Sequence, residues 1–380
     1  MTLAVYIHWP FCVSKCPYCD FNSHVGDTTD QTRWRDAYRR ELEYYAAMLL
    51  NRRITSIFFG GGTPSLMEPR TVASVLQDIH RLWRVDHDAE ITLEANPSSA
   101  EADKFADFRA AGVNRLSLGV QSLNAEALKF LGRAHNADEA KRAINLAAKV
   151  FPRFSFDLIY AYEGQTPEQW RQELGEALAL AGDHLSLYQL TIEPHTIFHT
   201  RARRGETLTA TDDYAATMFE ATQEVMENTG LPAYEISNHA RAGQESRHNL
   251  TYWHYEDYLG IGPGAHGRHC DHEKRHAIEN HRAPEIWLQQ VLSQGHGIKI
   301  DEILDTETAM REALMMGLRL TVGINLENWR KKFPTPLPQF LSADRLARLE
   351  KEGLVAQNEK ALYATRTGLQ RLNAVFKYLG

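Results

Sequence analysis

The chain has 380 residues, enough to bury a full core, and that length suggests one large domain with a smaller one beside it. Its composition, 43% hydrophobic and 24% charged, is that of an ordinary globular protein, and no run reaches the roughly 20 apolar residues of a membrane-spanning helix. The formal net charge of -7 argues against a general nucleic-acid binder, and Arg201 to Arg204 read as a solvated surface patch. The opening MTLAVYIHWPF lacks the basic start, apolar run and cleavage site of a signal peptide, so the expected location is the cytoplasm. In that reducing setting the cysteines are expected to be metal ligands or free thiols, with no disulfides.

In chain order, six short runs rich in β-branched and aromatic residues read as strands: AVYIHW (4–9), SIFFGG (56–61), EITLEA (90–95), RLSLGV (115–120), FSFDLIY (154–160) and HLSLYQL (184–190). Each is near-continuously apolar, which predicts burial on both faces. Between them lie helical stretches at 32–50, 71–83, 100–111, 124–131, 137–149 and 167–181. Gly112, Gly132 and Gly182 stand where a C-terminal cap would be, and Thr166-Pro167 reads as an N-cap followed by proline in the first turn. The alternation predicts repeated βα units around a parallel sheet, as an open sheet or a partial barrel. His8, Glu94, Gln121 and Asp157 fall at or near the C-terminal ends of their strands, where such folds collect chemistry.

Past residue 205 the rhythm fades into a His- and Tyr-rich stretch, 206–299, with His266, His269, His272 and His276 grouped around Cys270. Cys270 reads as a buried or surface thiol. From 300 to 380 a different module appears. Helices at 306–319, 326–332 and 342–352, two short strands at 354–357 and 361–364, and a last helix from Thr367 resemble a winged-helix subdomain. Its expected role is a cover or docking unit, not DNA binding, given the acidic balance.

The strongest chemical signal is Cys12-Val-Ser-Lys-Cys16-Pro-Tyr-Cys19, on a loop after the first strand. Three thiolates can hold three irons of a 4Fe-4S cubane, leaving the fourth iron open to another molecule. A three-ligand zinc site would want a fourth ligand at a recognisable spacing, and none is evident. After the second strand comes Gly60-Gly61-Gly62-Thr63-Pro64, where glycines would let backbone groups approach a ligand closely. Alone, such a run reads equally as a tight strand-to-helix turn.

The cysteine spacing followed by this glycine run resembles the radical S-adenosylmethionine (SAM) superfamily. The resemblance implies a partial (β/α)6 barrel in which Cys12, Cys16 and Cys19 ligate the cluster, SAM chelates the open iron, and Gly61, Gly62 and Thr63 line its methionine. Further matches run from Tyr6 into the C-terminal module: YIHWPFC, FGGGTPS, LEANP, RLSLGVQS, LGRAH and FDLIYA. They are similar to the oxygen-independent coproporphyrinogen III oxidase group, and within it to its heme chaperone branch. By that resemblance Tyr6, Glu94, Gln121, Arg133 and Asp157 contact SAM, with Tyr18 beside the cluster. Carboxylates suit the ammonium or ribose of SAM, and a guanidinium suits its carboxylate.

Two features separate the branches. Decarboxylating oxidases carry a further cysteine two residues after the triplet, where this chain has Phe21 after Asp20. The second is His248-Asn-Leu-Thr-Tyr252-Trp253, which matches the HNxxYW motif of the chaperones. It marks His248 as the expected heme ligand, with Tyr252 and Trp253 packing on the macrocycle. His266, in the Gly-rich turn Gly260 to Gly267, aligns with a cofactor-proximal loop of the oxidases.

The expected function is therefore a heme chaperone that carries the cluster and exchangeable SAM and passes heme to acceptor proteins, respiratory membrane proteins among them. The alternative is an oxygen-independent coproporphyrinogen III oxidase, which cleaves SAM to a 5′-deoxyadenosyl radical and decarboxylates its substrate's propionates. The reading leans away from turnover. A radical enzyme acting on RNA fits least, because no basic domain is evident.

Overall fold

The computed structural model describes residues 1–26, 30–271 and 274–379, so His272 lies outside the described residues. The six expected strands are β1 (Thr2–Trp9), β2 (Arg53–Gly61), β3 (Arg84–Ala95), β4 (Arg115–Gln121), β5 (Arg153–Tyr160) and β6 (His184–Gln189). They pair in parallel and in sequence order. Helices Gln31–Met48, Pro69–Leu82, Phe105–Ala111, Ala137–Val150 and Pro167–Leu178 fall between them. The fold is α/β, a partial (β/α)6 barrel with a C-terminal winged-helix-like α+β subdomain.

The strands are less apolar in structure than the sequence suggested, and their alternation explains the barrel. One row of side chains, including Val5, Ile7, Ile57, Phe59, Leu93, Leu116, Leu118, Phe156, Leu158, Leu185 and Leu187, belongs to the main hydrophobic core. The alternate row carries Ser56, Thr92, Ser155 and Ser186, which are buried but polar. Ser117 and Ser155, paired in register across β4 and β5, hydrogen-bond to each other at 3.2 Å. The same row holds Tyr6, His8, Glu94 and Asp157 nearer the C-terminal ends. Period-two alternation thus gives the partial barrel a polar inner face and an oily outer one.

Local punctuation largely matches expectation. Thr166 forms a capping box with Gln169 ahead of Pro167, and Gly112 caps its helix with φ of 117°. Gly182 does not cap: its helix ends at Leu178, and a Cβ at Gly182 would sit 2.9 Å from the Phe154 ring. That glycine serves packing.

The sheet extends beyond the six strands. β7 (Asn238–Ala240) runs antiparallel to β6, while β8 (Tyr258–Ile261) lies parallel to the far side of β1. Antiparallel β9 (His266–Asp271), β10 (Lys274–Asn280) and β11 (Ile298–Leu304) continue from β8, completing an 11-stranded mixed sheet. The seventh parallel strand escaped sequence reading because it is only four residues long and follows no βα rhythm.

The C-terminal residues form a second core around Leu314, Leu318, Trp329, Leu346, Leu362 and Val375. Helices Thr306–Gly317, Leu326–Lys332, Ala343–Lys351 and Leu372–Leu379 pack with a three-stranded antiparallel sheet of Ile324–Asn325, Ala361–Ala364 and Val355–Gln357. Among the described residues no helix is long and apolar enough to cross a membrane. In the Arg201 to Arg204 patch, Arg201 pairs with Glu206 at 2.7 Å and Arg203 and Arg204 are exposed, as a solvated surface should be.

Candidate functional site

The loop after β1 is closed by a two-residue pairing of Phe11–Cys12 with His24–Val25. Within it the Cys19 amide donates to the Cys16 carbonyl at 3.1 Å, and all three cysteines are free thiols. Burial raises the pKa of Cys12 and of Cys19, and the neighbouring thiols add to the rise. Three thiolates so placed repel one another, and a bound cationic metal cluster would relieve that repulsion. Among the described residues no group of three His, Cys, Asp or Glu has the geometry to hold one metal ion. A cubane asks for something different, since each thiolate takes its own iron.

Arg133 supplies the positive charge beside this loop. Its Nη1 donates to Cys16 Sγ at 3.1 Å and lies 3.4 Å from the Tyr18 hydroxyl. Its Nη2 donates to Asn96 Oδ1 at 2.6 Å and to the Gly119 carbonyl at 2.8 Å. No ion pair joins Arg133 to a carboxylate among the described residues, and its Nε is buried without a partner.. A buried guanidinium left this way suits an anionic ligand or a ring of thiolates.

Across the barrel mouth lie two carboxyl groups, Glu94 and Asp157. Glu94 is pushed up to about 8 by burial and then by the Asp157 carboxylate, although the Gly61 amide donates to its Oε2 at 3.2 Å. Burial likewise pushes Asp157 up to about 6, against a hydrogen bond from Ser186 and the charges of Arg115 and Arg133. Both carboxyls are thus costly to ionise without a positive partner. Carboxyl groups on one side of the mouth and a guanidinium on the other give it ionisable groups of both signs. Gln121 closes β4 in a left-handed conformation, φ 71°, which for a non-glycine residue costs roughly 1–2 kcal/mol. Strain of that kind collects at functional sites.

The glycine run has a reason the sequence did not reveal. A Cβ on Gly62 would lie 2.6 Å from the Phe11 carbonyl oxygen, and one on Gly61 would lie 2.6 Å from the His8 ring. The missing side chains make room for the protein's own cysteine loop as well as for a ligand. Gly62 donates to the Trp9 carbonyl at 2.7 Å, Thr63 donates to the Phe11 carbonyl at 2.8 Å, and the Thr63 hydroxyl reaches Cys12 Sγ at 3.4 Å. Tyr6 bonds His8 Nδ1 at 3.1 Å, and His8 Nε2 meets the Asn22 carbonyl at 2.9 Å, so a relay ties β1 to the end of the cysteine loop.

A cavity of about 520 Å³ opens on this mouth. Tyr6, His8, Gly61 and Glu94 form its floor, while Tyr252, Trp253, Tyr258, His266, Arg268, Arg282, Glu312 and Met316 form its walls, with Phe21 at the rim. Sequence reasoning missed Asn22, Asn96, Arg268 and Arg282. Asn96 alone had a local signal, two residues past Glu94 at the end of its strand.

His248 is 1% exposed, on the buried side of helix Arg247–Trp253, stacked on Phe58 with ring centroids 5.1 Å apart. Its Nδ1 bonds Ser56 Oγ at 3.0 Å and its Nε2 bonds the Tyr252 hydroxyl at 2.6 Å, so neither nitrogen faces the cavity. Burial lowers its pKa to about 3, which keeps the ring neutral. His248 holds Tyr252 in the cavity wall.

A polar-lined partial barrel, with three free cysteines at its mouth and half-buried carboxyl and guanidinium groups around them, defines one class of α/β protein. The radical SAM superfamily model matches residues 6–177, and the HemN C-terminal domain model matches residues 304–371. Radical S-adenosyl methionine domain-containing protein 1, mitochondrial, of Danio rerio is 36% identical over 379 residues, 98% of this chain and 85% of that protein. Heme chaperone HemW of Escherichia coli is 42% identical over 268 residues, 70% of each. HemW of Bacillus subtilis is 32% identical over 380 residues, 98% of both. The solved coproporphyrinogen III oxidase HemN from Escherichia coli superposes with a TM-score of 0.82 over 99% of this chain and 89% of that one, at 23% identity. The chain belongs to the radical SAM superfamily, in its group of HemN- and HemW-like proteins.

Proposed function

We propose that the chain is a heme chaperone, which binds heme and transfers it to acceptor proteins while holding a 4Fe-4S cluster and exchangeable SAM. The supporting observation is the cavity at the barrel mouth. Phe21 stands where the decarboxylating oxidases carry a further cysteine, and it lines an aromatic space with Tyr252, Trp253 and Tyr258. At about 520 Å³ the space lies within the range of about 300–1,000 Å³ usual for cofactor-sized ligands. Relatives named as heme chaperones at 42% and 32% identity support the same reading.

In this reading Cys12, Cys16 and Cys19 hold the cluster, which when bound supplies an open iron for the amino and carboxylate groups of SAM. Gly61, Gly62 and Thr63 shape the methionine end. Glu94 and Asp157 face the cationic part, Tyr6 and Gln121 close around it, and Arg133 balances the thiolates with Tyr18 beside it. The barrel is taken as 1–205, the extension as 206–299 and the C-terminal unit as 300–380. The four free cysteines suit the reducing cytoplasm. Respiratory membrane proteins that depend on heme are the expected acceptors.

The test is one anaerobic preparation, reconstituted with iron and sulfide and given SAM and reductant. Offered heme, it should bind a stoichiometric amount and release it to an apo-acceptor. Offered coproporphyrinogen III, it should return it unchanged; formation of protoporphyrinogen would make the chain an oxidase and overturn the proposal.

A further inference from the structure

We infer that Asn96 is a positioning residue for the cluster: its carboxamide aims one hydrogen-bond donor at Cys12 and another at Cys16, and so sets how readily the bound cluster takes up an electron. This rests on the cluster-binding reading above and goes beyond it, since Asn96 is neither a ligand nor a SAM contact in that reading.

The orientation of the carboxamide is fixed by the chemistry of its neighbours. Asn96 Oδ1 accepts from Arg133 Nη2 at 2.6 Å, and Asn96 Nδ2 donates to Thr63 Oγ1 at 3.2 Å. A guanidinium only donates, so the carboxamide oxygen faces it and the NH2 group faces the threonine. A hydroxyl carries one hydrogen. With its oxygen accepting from Asn96, Thr63 directs that hydrogen at Cys12 Sγ, 3.4 Å away. On the other branch Arg133 Nη1 donates to Cys16 Sγ at 3.1 Å. One side chain thus orders the donors to two of the three thiolates.

Asn96 is itself anchored from behind. It follows the last residue of β3, and its backbone amide donates to Glu101 Oε2 at 2.8 Å. Glu101 is buried and is fixed in turn by the hydroxyls of Ser98, at 3.2 Å, and of Ser65. Arg133 is steadied by the Gly119 carbonyl, which accepts from Nη2 at 2.8 Å. The donors therefore have few other orientations available while the carboxamide is in place.

Hydrogen bonds to the sulfurs help set the potential of an iron–sulfur cluster. A donor favours the more negative, reduced state, so its loss lowers the potential. Cys12 is buried, and the Thr63 bond acts where water screens it little. The electron comes from a low-potential one-electron donor, dithionite in the test below, and no covalent bond forms or breaks.

The experiment is a redox titration of the anaerobically reconstituted full chain with dithionite, following the 4Fe-4S electron paramagnetic resonance signal with and without SAM. Asn96→Ala should make the cluster about tenfold harder to reduce at a fixed potential, which is a downward shift of about 59 mV for a one-electron couple. Thr63→Val should give part of that shift, and Thr63→Ser, which keeps the hydroxyl, should hold the wild-type potential. In the Asn96→Ala background Thr63→Val should add little, because the hydroxyl it removes is no longer aimed. The signal arises only from loaded chains, so partial iron and sulfide occupancy leaves the titration readable. If Asn96→Ala takes up no cluster at all, the Thr63 pair decides, and equal potentials in Thr63→Val and Thr63→Ser would overturn the inference. A wild-type potential in Asn96→Ala, or full additivity of the two substitutions, would overturn it as well, and either result leaves the cluster reading standing. Failure of the unaltered chain to assemble a cluster would remove that reading, and this inference with it.

Discussion

At the scale of single residues, the site is a contest between burial and charge. Glu94 and Asp157 are costly to ionise without a partner, so ligand binding and proton release are linked. Both folded pKa values are raised above their ordinary values, to about 8 and about 6. The stability the protonated carboxyls lend the ligand-free chain is therefore complete below about pH 4 and is lost as pH rises toward 8. A sulfonium ligand favours the ionised carboxylates and reverses the balance. Affinity for SAM in the cluster-loaded chain should thus rise by about tenfold between pH 6.5 and 8.5, and Glu94→Gln should flatten most of that rise. Asp157, Arg115, Tyr6 and Tyr252 are the titratable or charged groups that face Glu94. A Kd independent of pH across this interval, by calorimetry in the wild-type chain, would show that Glu94 does not face the cation.

The elements that carry these residues were legible to different degrees, for physical reasons. The grouping of Cys12, Cys16 and Cys19 on one loop could be read because it is a matter of local spacing. The place of Glu94 and Asp157 toward the C-terminal ends of their strands could be read because a buried strand is visible in the pattern. The partners of His248 could not, because a motif says nothing about which neighbours its nitrogens meet, and Ser56 lies far away in sequence. The same holds for the wall built by β8 and β9, whose place beside β1 depends on long-range pairing.

One buried residue secures that wall. Glu41, in helix Gln31–Met48, is fully buried and accepts hydrogen bonds from the Gly262 and Gly297 amides at 2.8 Å each, and from Asn280 and the Trp287 indole at 3.1 Å. Every partner is a donor, so Glu41→Gln must set an amide N–H against another N–H. The expected cost is about 1–3 kcal/mol in global stability, read by chemical denaturation. Hemin affinity should fall as well, because the Gly260 to Gly267 turn loses its anchor. Unchanged stability would mean that this network does not position the turn.

On the scale of the whole molecule, the cavity exists because two cores meet over one mouth. The barrel supplies its floor, the strands after residue 257 one wall, and helix Thr306–Gly317 the other, through Glu312 and Met316. The bidentate pair of Arg268 with Glu312, joined by the Tyr255 hydroxyl at 2.7 Å, fastens the C-terminal unit to the sheet. The winged-helix-like unit thus supplies part of the cavity wall. Composition could not show which residues it contributes.

The proposed function requires an open iron at the barrel mouth, framed by Cys12, Cys16 and Cys19 and reached by SAM. The most direct measurement is the electron paramagnetic resonance spectrum of the reduced, anaerobically reconstituted chain, recorded before and after addition of SAM. A 4Fe-4S signal that changes on addition of SAM, and that is absent when Cys12, Cys16 and Cys19 are all replaced by alanine, is the expected result. A chain that assembles no cluster, or a cluster signal indifferent to SAM, would contradict it.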